Sequence, residues 1–210
     1  MPVPGGLDAG PPAAIAVLVS GQGTILEGLL ARARAGQLGA PITLVVADRP
    51  DAPALGRAER AHVATVVVPR RPSSPGPWGE DLDRHLTAAG ISLVVLDGFL
   101  SILPPTFLAR WRGRVLNVHP SLLPRHGGPG MYGARVHAAV LAAGDRETGV
   151  TVHEVTEVID GGPIVEQRRL AVTPSDTVAT LAGRLRPLEI EALADAIRRR
   201  VRSPRRRSAD

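Results

Sequence analysis

The chain has 210 residues, of which 44% are hydrophobic, enough for one domain with a real core or for two closely merged halves. No segment approaches the long uncharged apolar run of a membrane span, and the absence of cysteine excludes a disulfide frame and a thiolate zinc site, as suits a reducing compartment. The net charge of +5 sits at one end, because residues outside 198–210 carry 18 basic and 19 acidic groups.

Residues 1–12 are rich in Pro and Gly, with neither a basic region nor an apolar signal core, and read as a disordered leader to a cytoplasmic protein. Ala13–Ser20 and Ile42–Asp48 are β-branched-rich runs that predict strands. Between them Leu26, Leu29, Leu30 and Ala33 recur at helical spacing over Thr24–Ala35. A short helix over Ala54–Ala61, a strand over Thr65–Val68 and a loop over Arg70–Pro77 follow. Then come a helix over Trp78–Ala89, with Leu82 and Leu86 inward, and a strand over Ile91–Asp97. Pro105–Trp111 reads as a short helix begun by proline, Val115–His119 as a strand and Ala134–Ala143 as a helix. Thr148–Val155 and Ile164–Ala171 alternate as strands with no helix between them, and a long helix runs on from Asp176. The fold class is α/β: a Rossmann-like, mostly parallel sheet flanked by helices, with antiparallel strands added in the C-terminal half. The chain ends in the tail 203–210, which with Arg198, Arg199, Arg200 and Arg202 holds much of the basic charge. Aromatic residues are only 2%, so base-stacking platforms are scarce; the tail reads as solvated and no nucleic-acid partner is expected.

The residues richest in chemistry lie in Val115–Pro124 and Ile159–Pro163. Asn117 and His119 are two apart on a strand and so project from the same face. An amide and an imidazole at a strand end suit binding and protonation of an oxygen, and Asp160, ahead of Gly161-Gly162, is placed to orient and charge the imidazole. Those are the parts that manage a tetrahedral acyl-transfer intermediate. Ser20-Gly21-Gln22-Gly23-Thr24 follows a strand and opens a helix, where backbone N–H groups can hold a phosphate, although Leu26 stands where a dinucleotide fingerprint needs its third glycine. The six histidines are not at metal-ligand spacing, so no metal is expected. His62 and His85 read as surface residues, and His126 and His137 flank the Gly128–Gly133 loop.

These segments, with Val94–Leu103, Gly128–Gly133 and Thr148–His153 in the same order, resemble the 10-formyltetrahydrofolate-dependent formyltransferases over about Ala13 to Ile197. The resemblance implies formyl transfer from 10-formyltetrahydrofolate, as co-substrate, to the amine of 5′-phosphoribosylglycinamide in purine synthesis. It implies a formyltransferase domain over 13–202, with a phosphate-binding half over 13–112 and a folate and catalytic half over 113–202. Asn117, His119 and Asp160 become the catalytic set, with His119 held protonated by Asp160. Gly23, Thr24 and Ile25 become the phosphate loop, with Thr24-Ile25 where relatives have Ser-Asn. Arg186, Pro187, Leu188 and Glu189 match the segment that contacts the ribosyl-glycinamide part. Leu100, Ser101, Ile102 and Leu103 form one wall of the folate site, and Thr156, Glu157, Val158, Ile159 and Asp160 the other, with Asn117 between. His153 matches a position with a packing or hydrogen-bonding role.

By the same resemblance, most relatives carry an Ala where Asp97 stands and an arginine or similar residue where Ser101 stands; an arginine that some relatives use near the folate tail has no counterpart here, its aligned position falling near Gly79. The sequence gives Asp97 no role, and an ionised carboxylate at a buried strand end is costly unless hydrogen-bonded. The expected partners are small-molecule substrates, with no membrane, and a monomer or homodimer. Three alternatives share features of this reading. A methionyl-tRNA formyltransferase would carry a further C-terminal RNA-binding domain, about where this chain ends. A formyltetrahydrofolate deformylase would need an N-terminal regulatory domain longer than the leader. A non-enzymatic nucleotide-binding module would have no use for the Asn117, His119 and Asp160 set.

Overall fold

The computed structural model describes residues 13–202; the expected leader 1–12 and tail 203–210 lie outside the described residues. Seven strands form one sheet in the order β3-β2-β1-β4-β5-β6-β7. β1 (Ile15–Val19), β2 (Ile42–Ala47), β3 (Ala64–Val67), β4 (Leu93–Asp97) and β5 (Val115–His119) run parallel. β6 (Glu147–Glu154) and β7 (Ile164–Ala171) add antiparallel strands beyond β5. The expected mixture of parallel and antiparallel pairing is therefore present.

The parallel strands are apolar on both faces because helices cover both. On one side Val17, Val19, Val45, Val95 and Leu116 pack against α1 (Thr24–Arg34), α2 (Pro53–Arg60), α5 (Ala134–Ala142) and α6 (Val178–Arg202). On the other, Ala16, Leu18, Val46, Val94, Leu96 and Val115 meet α3 (Pro75–Ala88) and α4 (Pro105–Arg110). The chain leaves β1 toward β2 on one side and returns through β4 on the other. The strand order thus reverses between β1 and β4, which opens a crevice at their C-terminal ends, the usual ligand position in open α/β sheets.

Most predicted boundaries move by one or two residues, and the start of α3 moves by three. The expected loop Arg70–Pro77 gives up its last residues to α3, which begins at Pro75. Proline suits a helix start because the N–H it lacks would have no partner there. Trp78 closes this turn inward, donating its indole N–H to the Val68 carbonyl at 3.1 Å and stacking on Phe99. Pro187, inside α6, leaves the Gly183 carbonyl without its helical donor. No helix among the described residues is long and apolar enough to cross a membrane.

Candidate active site

The β5 alternation sends Leu116 and Val118 to one layer and Asn117 and His119 to the other, as expected from their spacing. His119 is 3% exposed. Its Nε2 lies 2.8 Å from the His126 carbonyl, an acceptor only, so Nε2 carries the proton. Its Nδ1 stands 3.5 Å from Asp160 Oδ2. Asp160 adopts φ 54°, a left-handed conformation that aspartate tolerates better than most residues, and accepts the Gly128 N–H at 2.9 Å. A β-carbon on Gly162 would come within 1.9 Å of the Glu154 carbonyl oxygen, so this turn requires glycine to lie against β6.

Asp160 also serves a second imidazole, with Oδ1 3.5 Å from His153 Nε2. His153 faces Asn117 across β5 and β6, and the Asn117 amide lies 3.1 Å from that same Nε2. His153 Nδ1 donates to the Glu154 carbonyl at 2.9 Å, which leaves Nε2 to accept from the amide. The structure thus joins Asn117, His153, Asp160 and His119 in one chain of polar contacts. His153 stands between Asn117 and Asp160, where the resemblance had implied a packing or hydrogen-bonding role.

One expectation is overturned. Burial pushes the His119 imidazole below its ordinary value, and the attraction of Asp160, which raises it, does not recover the loss. Asp160 therefore does not hold the ring protonated in this arrangement. For Asp160 itself, burial acts upward, but His153, His119 and the Gly128 N–H together keep the carboxyl below the usual range.

At the switch point Gly23 takes φ 66° as the N-cap of α1 and offers no side-chain cap. Thr24 is partly exposed, whereas the Ile25 side chain is buried in the core, leaving only its backbone near the turn. Asp97, 6% exposed, accepts the Leu26 N–H at 2.8 Å. The carboxylate without a role in the sequence is thus a helix cap supplied from a neighbouring strand. Arg186 Nε pairs with Glu189 at 3.2 Å; Pro187 is exposed, and Leu188 packs against the core. Burial, reinforced by Asp97 and opposed by Arg186, pushes the Glu189 carboxyl up to about 7.

Leu100–Leu103 divides by side chain. Leu100 and Ile102 are exposed at 52% and 62%, while Ser101 and Leu103 are buried. A flat ligand against this stretch would meet the two exposed side chains and the backbone. Across the sequence, Thr156, Glu157, Val158 and Ile159 are exposed ahead of Asp160. Gly79, near which a folate-tail arginine of relatives aligns, is buried in α3 against Pro104. Asp48 is a residue that sequence reasoning passed over. Its Oδ2 accepts Ser20 Oγ at 2.8 Å and Ser101 Oγ at 2.6 Å, and Ser20 Oγ in turn accepts the Leu100 N–H at 2.9 Å. It ties the turn after β1 to the segment after β4. Its position at a strand C-terminus beside the switch point was the available signal. Among the described residues no group of three or more His, Asp or Glu side chains is arranged to hold a metal ion.

An open α/β sheet with an amide, two imidazoles and a carboxylate at its strand ends defines an acyl-group transferase site better than a redox or metal site. Comparison with known proteins agrees. The family described as Formyl transferase matches residues 13–197, and the chain belongs to it. It is 37% identical over 178 residues to a phosphoribosylglycinamide formyltransferase of Haemophilus influenzae, covering 84% of this chain and 82% of that protein. It is 39% identical over 184 residues to the trifunctional purine biosynthetic protein adenosine-3 of Gallus gallus, covering 87% of this chain but 18% of that longer protein. The solved phosphoribosylglycinamide formyltransferase from Coxiella burnetii superposes with a TM-score of 0.81 at 36% identity, covering 90% of this chain and 86% of that one.

Proposed function

We propose that this protein transfers the formyl group of 10-formyltetrahydrofolate to the amine of 5′-phosphoribosylglycinamide, giving N-formylglycinamide ribotide and tetrahydrofolate in purine synthesis. The observation that carries the reading is the contact chain Asn117–His153–Asp160–His119 at the end of β5. Membership of the formyl transferase family supports it, as does the likeness over most of the chain to proteins named for this reaction.

The neutral amine attacks the formyl carbon. A carbon–nitrogen bond forms as the carbonyl π electrons move to oxygen, and one Asn117 amide hydrogen, free of His153, meets the oxyanion. His119 is lowered by burial and so starts with a lone pair; it takes the proton lost by the amine. Asp160 offsets the imidazolium charge. Collapse of the intermediate breaks the bond to the folate nitrogen, which receives that proton. Gly23 and Thr24 cradle the phosphate just ahead of Ile25, whose amide is directed at Asp97, and Glu189 with Arg186 meets the ribosyl-glycinamide part. Leu100, Ile102, Val158 and Ile159 give the folate ring its apolar contacts, and the chain works on small molecules in the cytoplasm.

The deciding assay offers 10-formyltetrahydrofolate with glycinamide ribotide, with charged initiator tRNA, or with water alone, and follows folate release. Release that depends on the ribotide is expected. Release with water alone would make the protein a hydrolase, and release only with tRNA would move it to the other transferase class.

A further inference from the structure

β4 alternation turns Leu93 and Val95 toward the layer of α1 and α6, and Asp97 follows them to that face. Its carboxylate accepts the Leu26 N–H at 2.8 Å, and the Ile25 amide is directed at it as well. These are the first-turn donors of a helix whose N-cap, Gly23, has no side chain to satisfy them. A helix start offers a bound anion its unpaired N–H groups and about half a positive charge. Asp97 uses part of both.

What remains for a phosphate is the turn before it. The Gly21 carbonyl accepts the Ala54 N–H and the Gln22 carbonyl accepts Arg57 Nε, so the outward side of the turn is tied to α2. The N–H groups of Gln22, Gly23 and Thr24 meet no backbone acceptor among the described residues. The surroundings also mix acidic with basic groups. Glu189 and Arg186 on α6 and Arg57 on α2 are the charged groups that act on Asp97, and His137 on α5 faces Arg186. Two carboxyl groups, both raised by burial, thus stand beside two guanidiniums, where a dianion would be bound best by cations alone.

We propose that Asp97 is a specificity-determining residue of the phosphoribosyl subsite: seated on the first-turn amides of α1 beside the Arg186–Glu189 pair, it confines the phosphate to the Gln22–Thr24 turn and opposes its second negative charge. The proposal rests on the reading of that turn as the phosphate site. Asp97→Asn keeps an acceptor oxygen for the Leu26 N–H and removes the charge.

Calorimetric titration of ribose 5-phosphate into wild type, Asp97→Asn and Asp97→Ala, near neutral pH where the phosphate carries close to two charges, tests it with ribose as control. Asp97→Asn is expected to bind ribose 5-phosphate about three- to tenfold tighter with no gain for ribose. The ribotide KM should fall in step, while the folate KM moves less. Equal or weaker ribose 5-phosphate binding, in whichever variant melts as cooperatively as wild type, would reduce Asp97 to a helix cap and overturn the proposal. No binding by wild type would overturn it too. Tighter binding in a protein that does not formylate the ribotide would leave Asp97 its role and remove the proposed acceptor instead.

Discussion

Asn117 and His153 are register partners across β5 and β6, with the amide nitrogen 3.1 Å from the imidazole Nε2. The pairing fixes which way the amide faces, because Nε2 accepts one of its hydrogens and leaves the other to point elsewhere. His153 is therefore expected to act through Asn117. His153→Phe, which keeps the ring volume and loses the acceptor, should lower kcat about tenfold with little change in either KM, as one misplaced hydrogen bond would. An unchanged kcat in a variant with normal melting would show that the amide needs no such partner.

His119 is the base that takes the proton from the amine and returns it to the leaving folate nitrogen. His119→Ala should lower kcat by about two or more orders of magnitude while the folate still binds. Folate binding measured by fluorescence titration separates loss of chemistry from loss of the site. Near-normal turnover would end the proposed mechanism.

The coupling of His119 to Asp160 has a definite sign. Burial lowers the imidazole and Asp160 raises it, with burial prevailing. Asp160→Asn removes the larger of the two raising influences, the other being the His126 carbonyl, so the ring should titrate lower still. Following the imidazole resonances by NMR through mildly acidic pH would show this as a downward move of the midpoint. A midpoint that stays or rises would mean that the 3.5 Å approach carries no electrostatic coupling.

Much of this arrangement was legible in the sequence because local rules governed it. The period-two placement of Asn117 and His119 survives as drawn, since β5 is apolar on its other face and cannot slip register. The βα alternation likewise gave the parallel sheet. What escaped notice depended on contacts distant in sequence. Asp97 lies 71 residues from the Leu26 amide that it caps, and no pattern within β4 announces that partner. Asp48 joins Ser20 to Ser101, 53 residues apart from it at the farther contact, for the same reason. The protonation of His119 failed as an expectation because a neighbouring carboxylate can be read from a motif, whereas the burial that outweighs it arises only when the layers close.

Glu189 gives a stability prediction. Its folded-state value lies at about 7 against an ordinary 4.5, so the folded protein holds this proton more tightly than the unfolded chain. The resulting contribution to stability is complete below the ordinary value and is lost as pH rises through about 7. Glu189→Gln stays neutral throughout and escapes that loss. Its melting temperature should equal wild type under acidic conditions and exceed it by about 3 °C or more under mildly alkaline ones, while the ribotide KM rises. A difference that does not grow with pH would mean that Glu189 ionises in the fold at no cost.

The turn after β1 permits a paired test, because its glycines differ in what surrounds them. Gly23 has φ 66°, and a β-carbon there would lie 2.6 Å from Ala54 Cβ; Gly21 has open space within 4 Å. The Gly23 conformation is strained for any L side chain, and α2 would have to shift to admit even a methyl group. Gly21→Ala should therefore leave melting and both Michaelis constants near wild type. Gly23→Ala should lower the melting temperature by several degrees and raise the ribotide KM well above any change in the folate KM, since the displaced N–H groups are those proposed to hold the phosphate. Ile25→Asn separates backbone from side chain: Ile25 is buried, so asparagine there should cost stability and alter the ribotide KM only modestly. If Gly23→Ala raised both constants equally, the damage would be general and the phosphate could not be assigned to this turn. If it raised neither, the phosphate would bind elsewhere, and the unpartnered amides of Gln22, Gly23 and Thr24 would have another purpose.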